Sequence, residues 1–326
     1  MPGFLSWISG LFSTSQSAPP APEARLFNPA PEDPANAPQD TGPQLAQQLE
    51  DHLFCWLLDA EPRALKADLS TSGDVLGELH QRLSNNRVDE LPRQPMSLPM
   101  LMRALTDEST DRQRLTDIIL GDPSLTDQLL QIANSPYFRP GDHSIGSVDQ
   151  AVFVLGVDGI RNVIAAAVMR PMMAARNSRE ALFGQRAWRW GLTCARASEL
   201  IAKIHGEDTS GHFMVGLLPS LAYITIRREL QRICRSRTTS AEPEPALIRH
   251  ALARYQWATC QLLANEWDLP PKYHAYLLAA ERPAPRQKHT PLTDGMVIGT
   301  REVLRHAHQR NLAEEDLPRV VRLTDD

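Results

Sequence analysis

From residue 44 onward, apolar residues recur every three or four positions, the spacing that gathers them on one face of an α-helix. Leu45, Leu49, Leu53 and Trp56 form a first stripe, and Val75, Leu76, Leu79 and Leu83 a second. Asn85 and Asn86 end the second helix, since asparagine tolerates the left-handed conformation of a C-cap. After the proline-punctuated stretch 91–99, a helix beginning near Ser97 carries Met100, Leu101 and Leu105. Asp122-Pro123 pairs an N-cap with proline at the first helical position. It opens a stripe of Leu125, Leu129, Leu130, Ile132 and Ala133 that stops at Asn134-Ser135-Pro136. Ser147 and Gln150 read as a capping box ahead of Val148, Ala151, Val152, Val154 and Leu155. Gly156 supplies a left-handed end to that helix, and Asp158 caps another that runs to Pro171. Three long helices are predicted over about 183–204, 212–235 and 244–266, then a short one to Glu281 and a last one from Val297 to Ala307. No run of alternating β-branched residues is long enough for a sheet. The prediction is an all-α fold.

The first 43 residues follow a different rule. Eight prolines fall between Pro19 and Pro43, among Ala, Ser, Asn and acidic residues. Proline at that density removes backbone donors and blocks both helix and sheet, which predicts an extended, disordered tether over residues 13–43. Ahead of it, Phe4, Trp7, Ile8, Leu11 and Phe12 share one helical face. One reading makes residues 4–12 a membrane-surface or partner-docking peptide. The other is that the segment is too short to hold a helix alone and lacks the Lys or Arg that anionic lipid would require. It also lacks the basic start and cleavage site of a signal peptide. The expected organisation is therefore 1–43 apolar tip and tether, 44–90 helical lead-in, 91–281 main domain, and 282–326 linker and C-terminal helix.

Composition narrows the function classes. Of 326 residues, 42% are hydrophobic and 22% charged, which excludes a wholly disordered chain. The 34 basic residues against 39 acidic leave a net charge of −5, so affinity built on nucleic-acid phosphates is not expected. Cys55, Cys194, Cys234 and Cys260 are scattered with no CxxC pair, which suggests neither zinc nor a disulfide framework, and a reduced cytoplasmic setting is expected. Cys194, Cys234 and Cys260 lie in apolar helices and should pack as small hydrophobes. No stretch reaches the roughly 18 consecutive apolar residues of a spanning helix.

Residues 91 to about 281 resemble an HDOD domain, the helical HD-related output domain of bacterial signalling proteins. Leu91-Pro92 with Pro95 looks like the family's LPxxP opening. The run from Ile119 through Asp122, Pro123 and Leu125 to Ala133-Asn134-Ser135 is similar to its IxxDPxLTxxLLxxANS stretch. Ser147 to Arg161, with Leu155-Gly156, resembles SIxxAIxxLGxxxLR. Trp188, Gly216-Leu217-Leu218 and Trp267-Asp268-Leu269-Pro270 fall where the family places its W, GLL and WxLP elements. Each match also has a plain structural meaning: DP starts a helix, ANS stops one, and LG is a C-cap. The resemblance implies an HDOD-type multi-helix bundle.

It also implies where chemistry would sit. HD enzymes hydrolyse phosphate esters with a divalent metal held by His, an adjacent His-Asp pair and a further Asp, which together make bound water nucleophilic. The pair would follow Gly216-Leu217-Leu218, and Pro219-Ser220 stand there instead. No His-Asp dipeptide occurs anywhere in the chain. Trp190-Gly191-Leu192 occupies the place of the earlier His, and Gln256 that of a later one, eleven residues before Trp267. No metal, cofactor or catalytic residue is therefore expected. Pro219 either kinks its helix or marks a late start, and the former metal pocket is expected to be refilled by side-chain packing.

Other chemistry is sparse. His306 and His308 point to different faces of the last helix, and His205 and His212 flank a turn, where exposed loop histidines are expected. Arg228, Arg232 and Arg235 share a helical face and read as a solvated basic patch or as a contact for an anion or acidic partner. The reading that follows is a non-catalytic output or adaptor protein of bacterial signal transduction that binds a protein partner. The alternative is a divergent nucleotide-binding sensor or a metal-dependent HD-type phosphohydrolase.

Overall fold

The computed structural model describes residues 42–92, 112–121, 123–134, 144–169, 175–237, 242–283 and 289–322. Among the described residues there are ten α-helices and no strand. They are α1 (Gly42–Leu58), α2 (Gly73–Ser84), α3 (Arg112–Leu120), α4 (Pro123–Ala133), α5 (Val148–Met169), α6 (Ser178–Ile204), α7 (Thr209–Arg237), α8 (Pro245–Glu266), α9 (Pro271–Glu281) and α10 (Pro291–His306). Short 3-10 turns occur at Ala64–Lys66, Ser70–Ser72 and Glu314–Arg319. The expected tip at residues 4–12, most of the tether, the helix near Ser97, and Asp122 and Ser135 lie outside the described residues. No helix among the described residues is long and apolar enough to cross a membrane.

The antiparallel pair α6 and α7 is the spine, and each of two hydrophobic cores uses it. One core gathers α3, α4, α5 and α9 with the start of α7 and the end of α8, around Ile119, Leu129, Ile160, Leu217 and Trp267. The other gathers α1, α2 and α10 with the remaining faces of α6, α7 and α8, around Leu49, Phe54, Leu79, Trp190, Tyr223 and Leu304. The lead-in is thus packed on the main domain. Leu49, Leu53, Phe54 and Leu57 of α1 are each at most 3% exposed. Their burial contributes on the order of 6–12 kcal/mol before chain entropy is counted, so α1 is a firm part of the body.

Helices approach α6 at unusually short range because glycines face it. A Cβ on Gly216 of α7 would lie 2.6 Å from the Cα of Ala195, and one on Gly299 of α10 would lie 2.7 Å from the Cα of Cys194. Both contacts are to backbone, which has little freedom to yield.

Several local signals act as the sequence suggests. Gly156 has φ +69° and breaks α5 into two helical stretches. Ser147 Oγ accepts the N–H of Gln150 at 3.1 Å, while the Gln150 side chain accepts from Gly146 (2.8 Å) rather than from Ser147. Asn86 closes α2 with φ +53°.

Two expectations are corrected. The last helix starts at Pro291, not Val297: Thr290 and Thr293 cap each other reciprocally, with Pro291 at the first turn. Pro219 marks no late start, because α7 begins at Thr209, where the Asp208 carboxylate accepts the N–H of Gly211 at 2.9 Å. The chain after α10 packs on the body as well, with Leu312, Leu317 and Val321 buried in the second core.

Candidate functional site

The positions where the HD chemistry would sit converge on the face between α6, α7 and α8. Pro219 and Ser220 are buried within α7, and α7 continues helical past the proline. Ser220 is fully buried and its hydroxyl donates to the carbonyl of Leu217 at 2.7 Å. A Cβ built on Gly191, at the place of the earlier His, would lie 2.3 Å from Ser220 Oγ and 2.5 Å from Ser220 Cβ. The two positions are therefore in direct contact, and no gap for an ion separates them.

Trp190 fills the adjoining space. Its ring is 1% exposed, its indole N–H donates to Thr300 Oγ1 at 2.9 Å, and it stacks on Tyr223 with centroids 4.8 Å apart. Tyr223 stacks in turn on Phe54 of α1 at 6.0 Å. Burial pushes the Tyr223 phenol well above its ordinary range. The family implies a divalent metal here, but the residues present do not fit one. Proline, serine, glutamine and tryptophan offer no carboxylate or imidazole, and no three His, Cys, Asp or Glu converge among the described residues.

Beside this column lies a cavity of about 440 Å³, walled by Glu50 and Leu53 of α1, Trp190, Tyr223, Gln256 and Met296 among others. Its size is in the range of small-molecule pockets, and its wall is mostly apolar. Gln256 is 9% exposed, and its Oε1 is buried with no hydrogen-bond partner. Burial also raises the pKa of Glu50, whose carboxylate accepts from Gln47 Nε2 at 3.1 Å. No lysine or arginine is part of the cavity wall among the described residues.

The motif residues prove to be joints. Asn134 donates to the carbonyls of Leu130 and Ile145, both at 2.8 Å, and its Oδ1 accepts the Ile145 N–H at 2.7 Å, so it ties the end of α4 to the approach of α5. Trp267 donates its indole N–H to the carbonyl of Pro92 at 2.9 Å, joining the WxLP element to the LPxxP opening across 175 residues. Pro270 is the N-cap residue of α9.

The arginine face is largely occupied from within. Arg228 pairs with the buried Glu180, and Arg232 with Asp89; Arg235 is exposed. The same face binds the lead-in: fully buried Glu229 accepts from Arg82 Nη1 at 2.6 Å and from the Glu90 N–H at 3.1 Å. The spacing of these arginines was legible, but their carboxylate partners come from distant segments.

His212 corrects another expectation. It is 2% exposed rather than a loop side chain, stacked on Tyr276 at 4.3 Å with Nδ1 against the Asp208 carbonyl at 2.9 Å. It became buried because α7 starts three residues before it. Cys194, Cys234 and Cys260 are buried as expected, and burial raises each thiol's pKa, away from reactivity.

With this geometry in view, relatives can be weighed. A protein of Bacillus subtilis (strain 168), uncharacterized protein YuxH, is 26% identical over 193 residues, 56% of this chain and 46% of that one. The chain thus spans about half the length of that curated relative. The structure of a proposed metal-dependent phosphohydrolase from Shewanella amazonensis SB2B aligns with a TM-score of 0.55 at 15% identity, over 77% of this chain and 88% of that one. An HDOD domain protein of unknown function from Geobacter sulfurreducens aligns at 0.48 and 20% identity, over 71% and 77% of the two chains. At these identities the structural likeness speaks to fold alone. The HDOD domain model matches residues 91–283, more than half of the sequence, and the chain belongs to the HDOD domain family.

Proposed function

We propose that this chain is a non-catalytic module of bacterial signal transduction, an output or adaptor protein whose HDOD domain binds a protein partner in the cytoplasm. The observation that carries the reading is the closed HD pair: Ser220 packed on Gly191, next to a proline where the ligand histidine would stand. A metal-assisted hydrolase needs an open coordination position and a pathway for water, and tight helix contact supplies neither. Cysteines held as thiols suit a reducing compartment. The Shewanella relative's phosphohydrolase description belongs to that protein, whose fold is shared at 15% identity.

The cavity beside Gln256 favours a second reading, a sensor for a small ligand. Its apolar wall and unpaired amide oxygen suit a flat heterocycle with an N–H donor, such as a nucleobase. With no cation on the wall, a nucleotide's phosphates would stay outside.

The test is elemental analysis of the purified full chain, beside hydrolysis assays on phosphomonoesters and phosphodiesters with Mn²⁺, Fe²⁺ and Mg²⁺. The expected result is substoichiometric metal and no turnover above buffer. One transition metal per chain, with metal-dependent turnover, overturns the proposal. Chelator-insensitive stabilisation by a nucleoside, without turnover, selects the sensor reading.

A further inference from the structure

A second cavity lies away from the HD positions, in a part of the fold that the family segment does not build alone. It holds about 280 Å³ between α1, the turn Ala64–Lys66, α8 and the chain that follows α10. Its wall includes Asp51, His52, Cys55, Lys66, Arg249 and Arg310. Three cations thus face one carboxylate. Asp51 is already engaged, since its Oδ1 accepts from Arg249 Nη2 at 2.6 Å and from Gln47 Nε2 at 3.4 Å. Lys66 and Arg310 form no ion pair among the described residues.

Some arginines elsewhere meet carboxylates: Arg228 meets Glu180, Arg232 meets Asp89, Arg82 meets Glu229 and Arg237 meets Glu78. At this cavity Asp51 is the one carboxylate of the wall among the described residues, and Arg249 already takes it. Two of the side chains in the wall also carry a buried nitrogen without a hydrogen-bond partner, His52 Nδ1 and Arg249 Nε, where buried polar groups are ordinarily paired.

We propose that this cavity binds a small phosphate-bearing anion, gripped by Arg249, Arg310 and Lys66, with His52 as a further donor. The excess of two positive charges matches a phosphate monoester dianion better than a single carboxylate. Half-buried Cys55 and buried Leu65 line the wall, leaving an apolar side for a compact organic remainder. The proposal does not depend on whether the HDOD domain is catalytic.

Geometry also gives the site a proton linkage. His52 is flanked by Asp51 and, around Arg249, by Glu50 from its own helix. Lys66 faces it from the turn, Arg249 from α8 and Arg310 from the C-terminal chain. Burial first, and Arg310 second, hold its imidazole below the ordinary histidine range, with Asp51 opposing. A dianion in the cavity reverses the balance and favours imidazolium, so binding takes up a proton as pH falls.

The experiment is calorimetric titration of the full chain with inorganic phosphate and with sulfate, at ionic strength held constant with KCl. Saturable binding is expected for both anions, and Lys66→Gln and Arg310→Gln should each weaken it roughly two- to five-fold, as for a partly exposed charge. Both side chains are exposed, so the variants should unfold like the parent. Sulfate has no proton to titrate near neutrality, so its affinity should rise from pH 8 to pH 6 in the parent and stay flat in His52→Gln. Absence of saturable binding at about 10 mM of either anion overturns the proposal. So does binding that the Lys66→Gln, Arg310→Gln double variant leaves unchanged. A pH-independent sulfate affinity in the parent removes His52 from the site.

Discussion

If the HD pair is closed by contact, a single methyl group placed at Gly191 has nowhere to go. In open helix, Gly→Ala stabilises by up to about 1 kcal/mol through backbone entropy. At Gly191 the new Cβ would lie 2.3 Å from Ser220 Oγ and 2.5 Å from its Cβ, well inside van der Waals contact. Overpacking of this kind costs typically 1–3 kcal/mol, so with the entropic gain subtracted the net effect should be a loss of up to about 2 kcal/mol. Gly77 in α2 is the internal control, since a Cβ there meets nothing within 4 Å; Gly77→Ala should gain about 1 kcal/mol. The decisive variant is the pair Gly191→Ala with Ser220→Gly, which removes the obstructing hydroxymethyl. Urea denaturation of the four proteins gives a double-mutant cycle, and a favourable coupling of about 1–3 kcal/mol is expected at constant m-value. Additive effects, or stabilisation by Gly191→Ala alone, would mean that α6 and α7 leave space between these positions. The former metal pocket would then not be closed by packing.

Further outcomes follow from the joints around the site. Trp267→Phe keeps an aromatic ring but removes part of the buried bulk and leaves the Pro92 carbonyl without its 2.9 Å indole donor, so chemical denaturation should register a loss of about 2–3 kcal/mol. Glu229→Leu strands the Glu90 N–H and takes one of the carboxylates from Arg82, which keeps Glu78; a loss of about 1–3 kcal/mol is expected, and proteolysis near residues 85–92 should quicken. His306 accepts from Arg305 Nη2 at 2.9 Å, and burial with the neighbouring cations holds its pKa down to about 3. Its folded pKa lies below the unfolded one near 6.5. The unfolded chain therefore binds the proton first, and stability should fall as pH drops from about 6.5 toward 3. His306→Gln should flatten that part of the stability profile, which thermal unfolding at stepped pH measures.

Helix periodicity and cap chemistry carried most of the fold, because both are local. Leu45 to Trp56, the Gly156 break and the Asn86 cap all depend on residues within a turn or two of each other. The start of α10 was missed for an equally local reason: Thr290-Pro291 reads as linker when the Thr293 partner of the cap is overlooked. What the spacing could not convey was partnership across the chain. Arg228 and Arg232 look like an open basic patch until Glu180 and Asp89, from other segments, are brought against them. The HD positions were legible as substitutions, since Pro219 and Ser220 stand directly after Gly216-Leu217-Leu218. Their contact with Gly191 was not legible, nor was the cavity beside Gln256, because both depend on how closely α6, α7 and α8 approach. The cavity holding Lys66, Arg249 and Arg310 was hidden for the same reason, its residues being spread over some 245 positions.

The lead-in changes what the family resemblance can predict. The aromatic column Phe54–Tyr223–Trp190 begins on α1, outside the matched segment, and ends at the place of a lost ligand. The same helix walls the cavity beside Gln256 through Glu50 and Leu53, and the anion cavity through Asp51 and His52. Ion pairs from Arg82 and Asp89 to α7 lock this added layer onto the domain. The HD face is thus bordered by residues that lie outside the matched segment. A pocket that in an HD enzyme would open to substrate is here bordered by a helix whose four most buried side chains hold it in place. The lead-in thus shapes both cavities, which the matched segment alone would not enclose.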